Sequence, residues 1–194
     1  MLIGKNVILR DFCQSDIQKR VLWETEQTEW QLWDAPWEYE GLSSAEREAE
    51  LEHYTAMMRS WVDKFALMPK DAPRSGFQID YKPTGEYIGW CNSYFLDDDY
   101  CFTDEKTARI AIGIDIPELS ARGKGCALEA LTLFVDYLIA SGKTDIYTQT
   151  WSGNSRMIAL AQKLGFYECC RKTGIRLVRG EKYDGLTFKL KITV

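Results

Sequence analysis

The residues of this chain best suited to hold a charged ligand are Arg122-Gly123-Lys124-Gly125-Cys126-Ala127, which sit between a strand pattern and a helix pattern. Glycines let the backbone come close to a ligand, successive N–H groups converge, and a helix N-terminus is partially positive; together these features hold phosphate. Arg122 and Lys124 would add full charges. A triphosphate-binding loop needs Gly-Lys followed by Ser or Thr, and a dinucleotide fingerprint needs three spaced glycines, so neither ligand class is indicated. The competing reading of Gly123 and Gly125 is a plain tight turn. Cys126 precedes a helix, which can lower a thiol pKa. With phosphate expected at the same place and His53 the single histidine, Cys126 reads as a small structural residue rather than a nucleophile.

Other segments must position this loop. Val7, Ile8 and Leu9 predict a first strand, and Gln14-Ser15-Asp16 can cap a helix starting near Ile17. Trp23 to Trp37 reads as a loop or broken helix. Ser43 and Glu46 have capping-box spacing, and Leu51, Tyr54, Met58, Trp61, Val62 and Phe65 then recur at helical intervals. Phe77 to Tyr81, a turn at Lys82–Gly85, and Tyr87 to Leu96 predict a hairpin. Ile110, Ile112, Ile114 and Ile116 alternate with Ala111, Gly113 and Asp115, giving a central strand ended by Pro117. Ala127, Leu128, Leu131, Phe134, Val135 and Leu138 form a helical stripe stopped at Gly142. Asp145 to Thr150 reads as a strand, and a second helix around Met157, Ile158, Ala161 and Leu164 closes at Gly165. A final hairpin is predicted from Phe166 to Val178 and Leu186 to Val194, around a loop from Arg179 to Gly185. The strand-helix-strand order implies one parallel pair with a right-handed crossover. The class is α/β (α+β): a mixed, mostly antiparallel, seven-stranded sheet flanked by about four helices, in one domain spanning residues 1–194.

At 45% hydrophobic residues the chain can bury a full core. No segment approaches the ~20 apolar residues of a membrane span, and no secretory signal is recognisable, so a cytoplasmic protein is expected. The six cysteines lack zinc-type spacing and read as reduced thiols, and no metal site is expected. A formal net charge of −5 argues against nucleic-acid binding and suits a cationic acceptor.

Arg122, Gly125 and Ala127 resemble motif A of the GCN5-related N-acetyltransferase (GNAT) superfamily, Arg/Gln-x-x-Gly-x-Gly/Ala. Asn154, followed eleven residues later by Gly165-Phe166, resembles its motif B. Val7-Ile8-Leu9-Arg10-Asp11 and Ile88-Gly89-Trp90 are similar to the branch that includes ribosomal-protein N-terminal acetyltransferases. The resemblance implies the GNAT fold and an N-acetyltransferase using acetyl-CoA, with the coenzyme pyrophosphate on Arg122, Gly123, Lys124, Gly125, Cys126 and Ala127. It further implies a main-chain contact from Ile114 and Ile116 to the pantetheine arm, a coenzyme contact from Asn154, and an acceptor site lined by Trp30, Trp33, Asp34 and Trp37, with Trp151 beside it. Members of the family often pair as dimers. Two positions depart from the pattern: Ala161 stands where many members carry the tyrosine that protonates the departing thiolate, and Met157 where the branch often has serine. Tyr147, Tyr167 and Tyr183 are possible substitutes.

Acetyl transfer from a thioester needs a neutral amine, whereas a free alkyl ammonium has a pKa near ~10.4, so a base must take a proton. Asp115 is the first candidate, at the end of the central strand on the side of Ala111 and Gly113, where an acceptor could fit. It can equally be a solvated strand end, and Glu86, Glu105 and Glu118 are the alternatives. The sequence leaves the acceptor open among a protein N-terminus, a polyamine, an amino acid and an antibiotic amine. Two other classes of function compete: a non-catalytic coenzyme A sensor, in keeping with Ala161, and an interaction protein with a tryptophan-rich partner surface.

Overall fold

The computed structural model describes residues 1–191. The chain opens with β1 (Leu2–Ile3), β2 (Val7–Arg10), α1 (Asp16–Thr25), a 3-10 turn (Thr28–Leu32), the single-turn α2 (Pro36–Tyr39) and the long α3 (Ser44–Leu67). It continues through β3 (Gly76–Tyr81), β4 (Glu86–Leu96), β5 (Phe102–Thr103), β6 (Arg109–Asp115), a second 3-10 turn (Leu119–Ala121) and α4 (Cys126–Ala140). The last elements are β7 (Asp145–Trp151), α5 (Ser155–Lys163), β8 (Phe166–Val178) and β9 (Glu181–Leu190). One nine-stranded sheet runs in the order β1-β2-β3-β4-β6-β7-β9-β8, with β5 on β4. Among the described residues only β6 and β7 pair in parallel.

The strands beyond the expected seven are β1 and β5, each two residues long and too short to leave a period in the sequence. The final hairpin is also tighter than its composition implies. Its expected loop, Arg179 to Gly185, is mostly strand. Arg179 (φ 52°) and Gly180 (φ 81°) alone make the turn, both left-handed as a two-residue hairpin requires. The expected strand end at 192–194 lies outside the described residues.

The sheet divides two cores. Ile110 and Ile112 pack with Leu131, Phe134 and Leu138 of α4, while Trp23, Trp30 and Tyr87 cluster on the α1 side. Helix α3 starts where the capping box predicts: the Ser43 hydroxyl accepts the Glu46 amide and Glu46 accepts the Ser43 amide. The first helix is fixed to the sheet by Arg10, whose guanidinium meets Asp16 at 2.6 and 2.8 Å and Asp80 at 2.6 and 2.8 Å. The Asp16 side chain is only 2% exposed, so its charge depends on that partner. Removing one member of a buried pair leaves an uncompensated charge. Arg10→Ala is therefore expected to lower the unfolding free energy by about 3–5 kcal/mol in urea titration. A loss below about 1 kcal/mol, the worth of a surface pair, would show that Arg10 does not hold α1 in place.

Candidate active site

Strands β6 and β7 pair from Arg109 and Asp145 to Ile112 and Thr148, and no further. Beyond that rung β6 stays with β4 as far as Trp90 and Asp115, while β7 stays with β9 as far as Trp151 and Gly185. A notch opens between them. At its apex the Thr148 hydroxyl donates to the Ile112 carbonyl at 2.8 Å. Main-chain groups alternate sides along a strand, so the N–H and C=O of Ile114 face the notch like those of Ile112. The Asp115 carbonyl points the other way, onto Gly89, where a Cβ would lie 2.1 Å from it. Only glycine allows that crossing. Of the two residues expected to meet a pantetheine arm, Ile114 thus presents an open edge, whereas the Ile116 carbonyl accepts Arg122 Nε at 2.9 Å.

The loop after β6 lies at the same end of the sheet. The amides of Ala121 and Arg122 are bonded to Glu118 and Leu119, and the Glu129 amide to Gly125. Between them, the N–H groups of Gly123, Lys124, Gly125, Cys126, Ala127 and Leu128 meet no backbone acceptor among the described residues, and no side chain caps the helix. Gly125 (φ 80°) takes the left-handed conformation that aims this row outward. The two cations contribute less than their charge implies. Arg122 is paired with Glu29, and the Lys124 ammonium sits 4.9 Å from the Tyr81 ring centre. Cys126 is 1% exposed, and burial, then nearby Glu129, pushes its thiol above the usual range, so it is no activated nucleophile.

On the sheet face opposite α4 is an open cavity of 1140 Å³. Its floor is Trp90, Asn92 and Tyr94 of β4 beside Gly113 and Asp115 of β6; its walls come from α1, the first 3-10 turn, Asp34, Glu38, Tyr39 and α3. Ile114 and Gln149, on the two sides of the notch, also line it. Cavity and notch are therefore continuous.

The cavity is acidic. Burial, then the charges of Asp34 and Glu24, holds the Asp115 carboxyl well above the ordinary carboxylate range, against the pull of Arg20 and Arg122. Burial and Glu38 push Asp34 up, although its atoms remain reachable by solvent from the cavity. Glu24 rises to about 7 by burial, partly offset by Arg20 and by the Gln31 amide at 3.1 Å. Tyr94 is pushed up to about 12, and its hydroxyl donates across the notch to Gln149 at 3.3 Å.

Of the residues read as acceptor-binding, Trp30 and Asp34 line the cavity and Trp33, Trp37 and Trp151 do not. Those three, with Asn154, form a bracket. Trp151 Nε1 and Asn154 Nδ2 both donate to the Trp33 carbonyl, at 2.9 and 2.7 Å, and Trp37 packs edge-on against Trp151. Asn154 Oδ1 accepts the Met157 amide and caps α5, so both of its polar atoms are committed within the protein rather than to a coenzyme. The alternative acids lie elsewhere: Glu86 and Glu118 bind Lys19, and Glu105 is exposed in a loop. Tyr147 binds Asp145, Tyr183 packs on Trp151, and Tyr167 is exposed on β8; none lines the cavity. Sequence reasoning missed Glu24, Tyr39, Tyr54 and the row Trp90, Asn92, Tyr94. The period of two in that row was the available signal, since those residues share a face opposite Asp115, Gly113 and Ala111.

A diverging parallel pair whose notch ends at a helix N-terminus with bare amides is a site for an extended, anionic ligand opening onto an acceptor pocket. Residues 6–167 match the family model of the acetyltransferase (GNAT) domain, and the chain belongs to that N-acetyltransferase family. Among solved structures it is similar to the GNAT-family acetyltransferase from Bacillus anthracis (14% identity, 97% of this chain and 96% of that one covered, TM-score 0.67). It is similar also to RimL, the ribosomal L7/L12 alpha-N-protein acetyltransferase in complex with coenzyme A (13%, 96% and 94%, 0.67). A third is the ribosomal-protein-S5-alanine acetyltransferase from Vibrio fischeri (15%, 96% and 93%, 0.66). At these identities the likeness is one of fold. No curated protein matches the sequence. Among the described residues no helix is long and apolar enough to cross a membrane, and no three His, Cys, Asp or Glu side chains are grouped to hold a metal ion.

Glu24 supplies a test of the cavity's electrostatics. Its folded pKa of about 7 lies above its ordinary 4.5, so the folded state binds the proton more tightly than the unfolded one. The stability this contributes is complete below the unfolded pKa and is lost as pH rises through the folded one. Glu24→Gln is expected to flatten the fall in melting temperature between pH 5 and pH 8, and to stabilise the protein by about 1–3 kcal/mol at pH 8. Parallel melting curves for the two proteins would refute the shift.

Proposed function

We propose that the chain moves the acetyl group of acetyl-CoA to a primary amine, a small amine or a peptide N-terminus, by direct attack on the thioester. The observation that carries this is the row of bare amides from Gly123 to Leu128 at the end of a notch that leads into an acidic cavity. The amide row would receive the pyrophosphate, and the free edge of Ile114 would pair with the amides of the pantetheine arm. The acetyl-CoA thioester is then the group attacked. The Ile114 carbonyl would then make the pairing with the arm, and its N–H would receive the developing oxyanion.

Asp115 is the proposed base. Its raised pKa brings it nearer that of the ammonium it must deprotonate, which makes it a better proton acceptor than an ordinary aspartate. Tyr94, one of three tyrosines lining the cavity, is the proposed donor to the departing sulfur, for which its hydroxyl would leave Gln149; Ala161 is buried in the core and has no hydroxyl to give. The reading includes one catalytic domain over residues 1–194, a cytoplasmic location, membership of the ribosomal-protein-like branch, and a homodimer. A second reading, a coenzyme A sensor without turnover, is favoured by Ala161 alone.

Calorimetry with coenzyme A, followed by a thiol-release assay with acetyl-CoA over an amine panel, tests both. Gly125→Ala, which puts a side chain at φ 80°, is expected to weaken coenzyme binding about tenfold. Asp115→Asn is expected to lower kcat by about 10²–10⁴ with coenzyme affinity unchanged. Binding without thiol release from any acceptor would favour the sensor, and absence of binding would remove both readings.

A further inference from the structure

This inference rests on the amine-acceptor reading and asks what kind of amine the cavity is built for. The cavity is lined by Glu24, Asp34, Glu38, Glu48, Glu50 and Asp115, against the single cation Arg47, which is turned to the Tyr39 carbonyl at 2.6 Å. Among the described residues neither Glu24, Asp34, Glu38 nor Asp115 takes part in an ion pair. They are close enough to disfavour one another's charge: Asp34 and Glu24 act on Asp115, Glu38 acts on Asp34, and all four act on the Tyr39 hydroxyl.

Elsewhere the protein pairs its partly buried acids with care. Asp16 and Asp80 share Arg10, and Glu118 has Lys19. The one buried cation near the cavity, Arg20, stacks 3.2 Å from the Trp90 ring centre and cannot neutralise four carboxylates. An unpaired acidic group in a concave, partly dry site is completed by a cation from outside.

A single amine does not supply enough charge. The attacking nitrogen must be neutral, and the proton it loses goes to Asp115, so the reaction itself satisfies that one carboxylate. Glu24, Asp34 and Glu38 remain. They lie on the wall away from the sheet, with the Trp30 and Tyr39 rings beside them to cover methylene groups and face a cation. We propose that the acceptor is a linear aliphatic diamine or polyamine, with one nitrogen attacking beside Asp115 while a second, protonated nitrogen is held by Glu24, Asp34 and Glu38. The neutral nitrogen bonds to the thioester carbon and the carbon–sulfur bond breaks. Asp115 has taken the ammonium's proton before the attack, the second proton that the nitrogen sheds passes to the departing thiolate, and the products are the monoacetylated diamine and free coenzyme A.

Thiol release from acetyl-CoA by the full chain is measured with 1,4-diaminobutane, spermidine, 1-aminobutane and an alanine-initiated peptide lacking lysine and arginine. The expected kcat/KM for 1,4-diaminobutane exceeds that for 1-aminobutane by about tenfold or more, the size of one charge-assisted hydrogen bond. Glu24→Gln combined with Asp34→Asn is expected to bring that ratio to about two or less, through KM. A wild-type ratio near one, with any acceptor turned over, overturns this inference and leaves the acetyltransferase reading standing. Faster turnover of the peptide than of either polycation likewise overturns it, in favour of a protein N-terminus. No release with any of the four acceptors overturns the amine-transfer reading and the inference together. The wild-type ratio needs no variant, so a double variant that fails to fold leaves the test intact.

Discussion

The pairing of β6 with β7 stops at Ile112 and Thr148, and the functional geometry depends on that stop. Each strand keeps its outer neighbour, β4 or β9, so the divergence breaks the sheet only locally. The Thr148 hydroxyl takes the Ile112 carbonyl where the main-chain ladder ends, which satisfies the last rung without extending it. Beyond it, Ile114 has a main-chain donor and acceptor facing a gap. Backbone polar groups are costly to leave unpaired away from water. A ligand with amides along an extended arm answers that need as a partial strand would.

The same stop explains why positive and negative features separate across the sheet. The chain leaves β6, turns at Gly123 to Gly125 and enters α4, which packs on one face of the sheet and leaves its first amides bare. The opposite face carries Asp115, and over it fold α1, the 3-10 turn and Asp34. Arg122 belongs to neither side. By pairing with Glu29 and with the Ile116 carbonyl it ties the 3-10 turn to the end of β6. The bare amides are then not backed by the Arg122 charge, which pairs with Glu29 and acts through the field on Asp115. On the proposed reading, an anionic donor and a cationic acceptor would be drawn to the two ends of one passage.

The loop, the helices around it and the central strand were legible because each leaves a local mark: glycines before a helical stripe, a capping box at Ser43 and Glu46, and alternation from Ile110 to Ile116. Asp115 could be placed on the face of Ala111 and Gly113 by the same alternation. The acceptor side was only half legible. Four tryptophans marked the segment from Trp23 to Trp37, but which of them face a cavity depends on its path over the sheet. That path is set by distant contacts, Trp33 with Trp151 and Asn154, and Glu29 with Arg122. Nothing local distinguishes Glu24 from a solvated charge; the packing of α1 on β4, through Trp23 against Tyr87 and Trp90, is what brings it to the cavity. The register of Trp90 with Asp115 likewise joins residues with half of β4, β5 with its loops and nearly all of β6 between them.

Arg20 completes the electrostatic design of the acidic face. It is 3% exposed, stacked on Trp90, and reaches Gln78 only at 3.4 Å, while its Nε and Nη1 have no partner. A buried cation held so loosely gains little for stability. It does lower the cost of charging Asp115 and Glu24, on both of which it acts. Without it, burial and the charges of Asp34 and Glu24 would be opposed at Asp115 by Arg122 alone. With a cation at full strength against it, Asp115 would be too weak a base. Stacking the guanidinium behind the Trp90 ring lets it act on both acids through the field without a hydrogen bond to either, and the Asp115 carboxyl stays well above the ordinary carboxylate range even so.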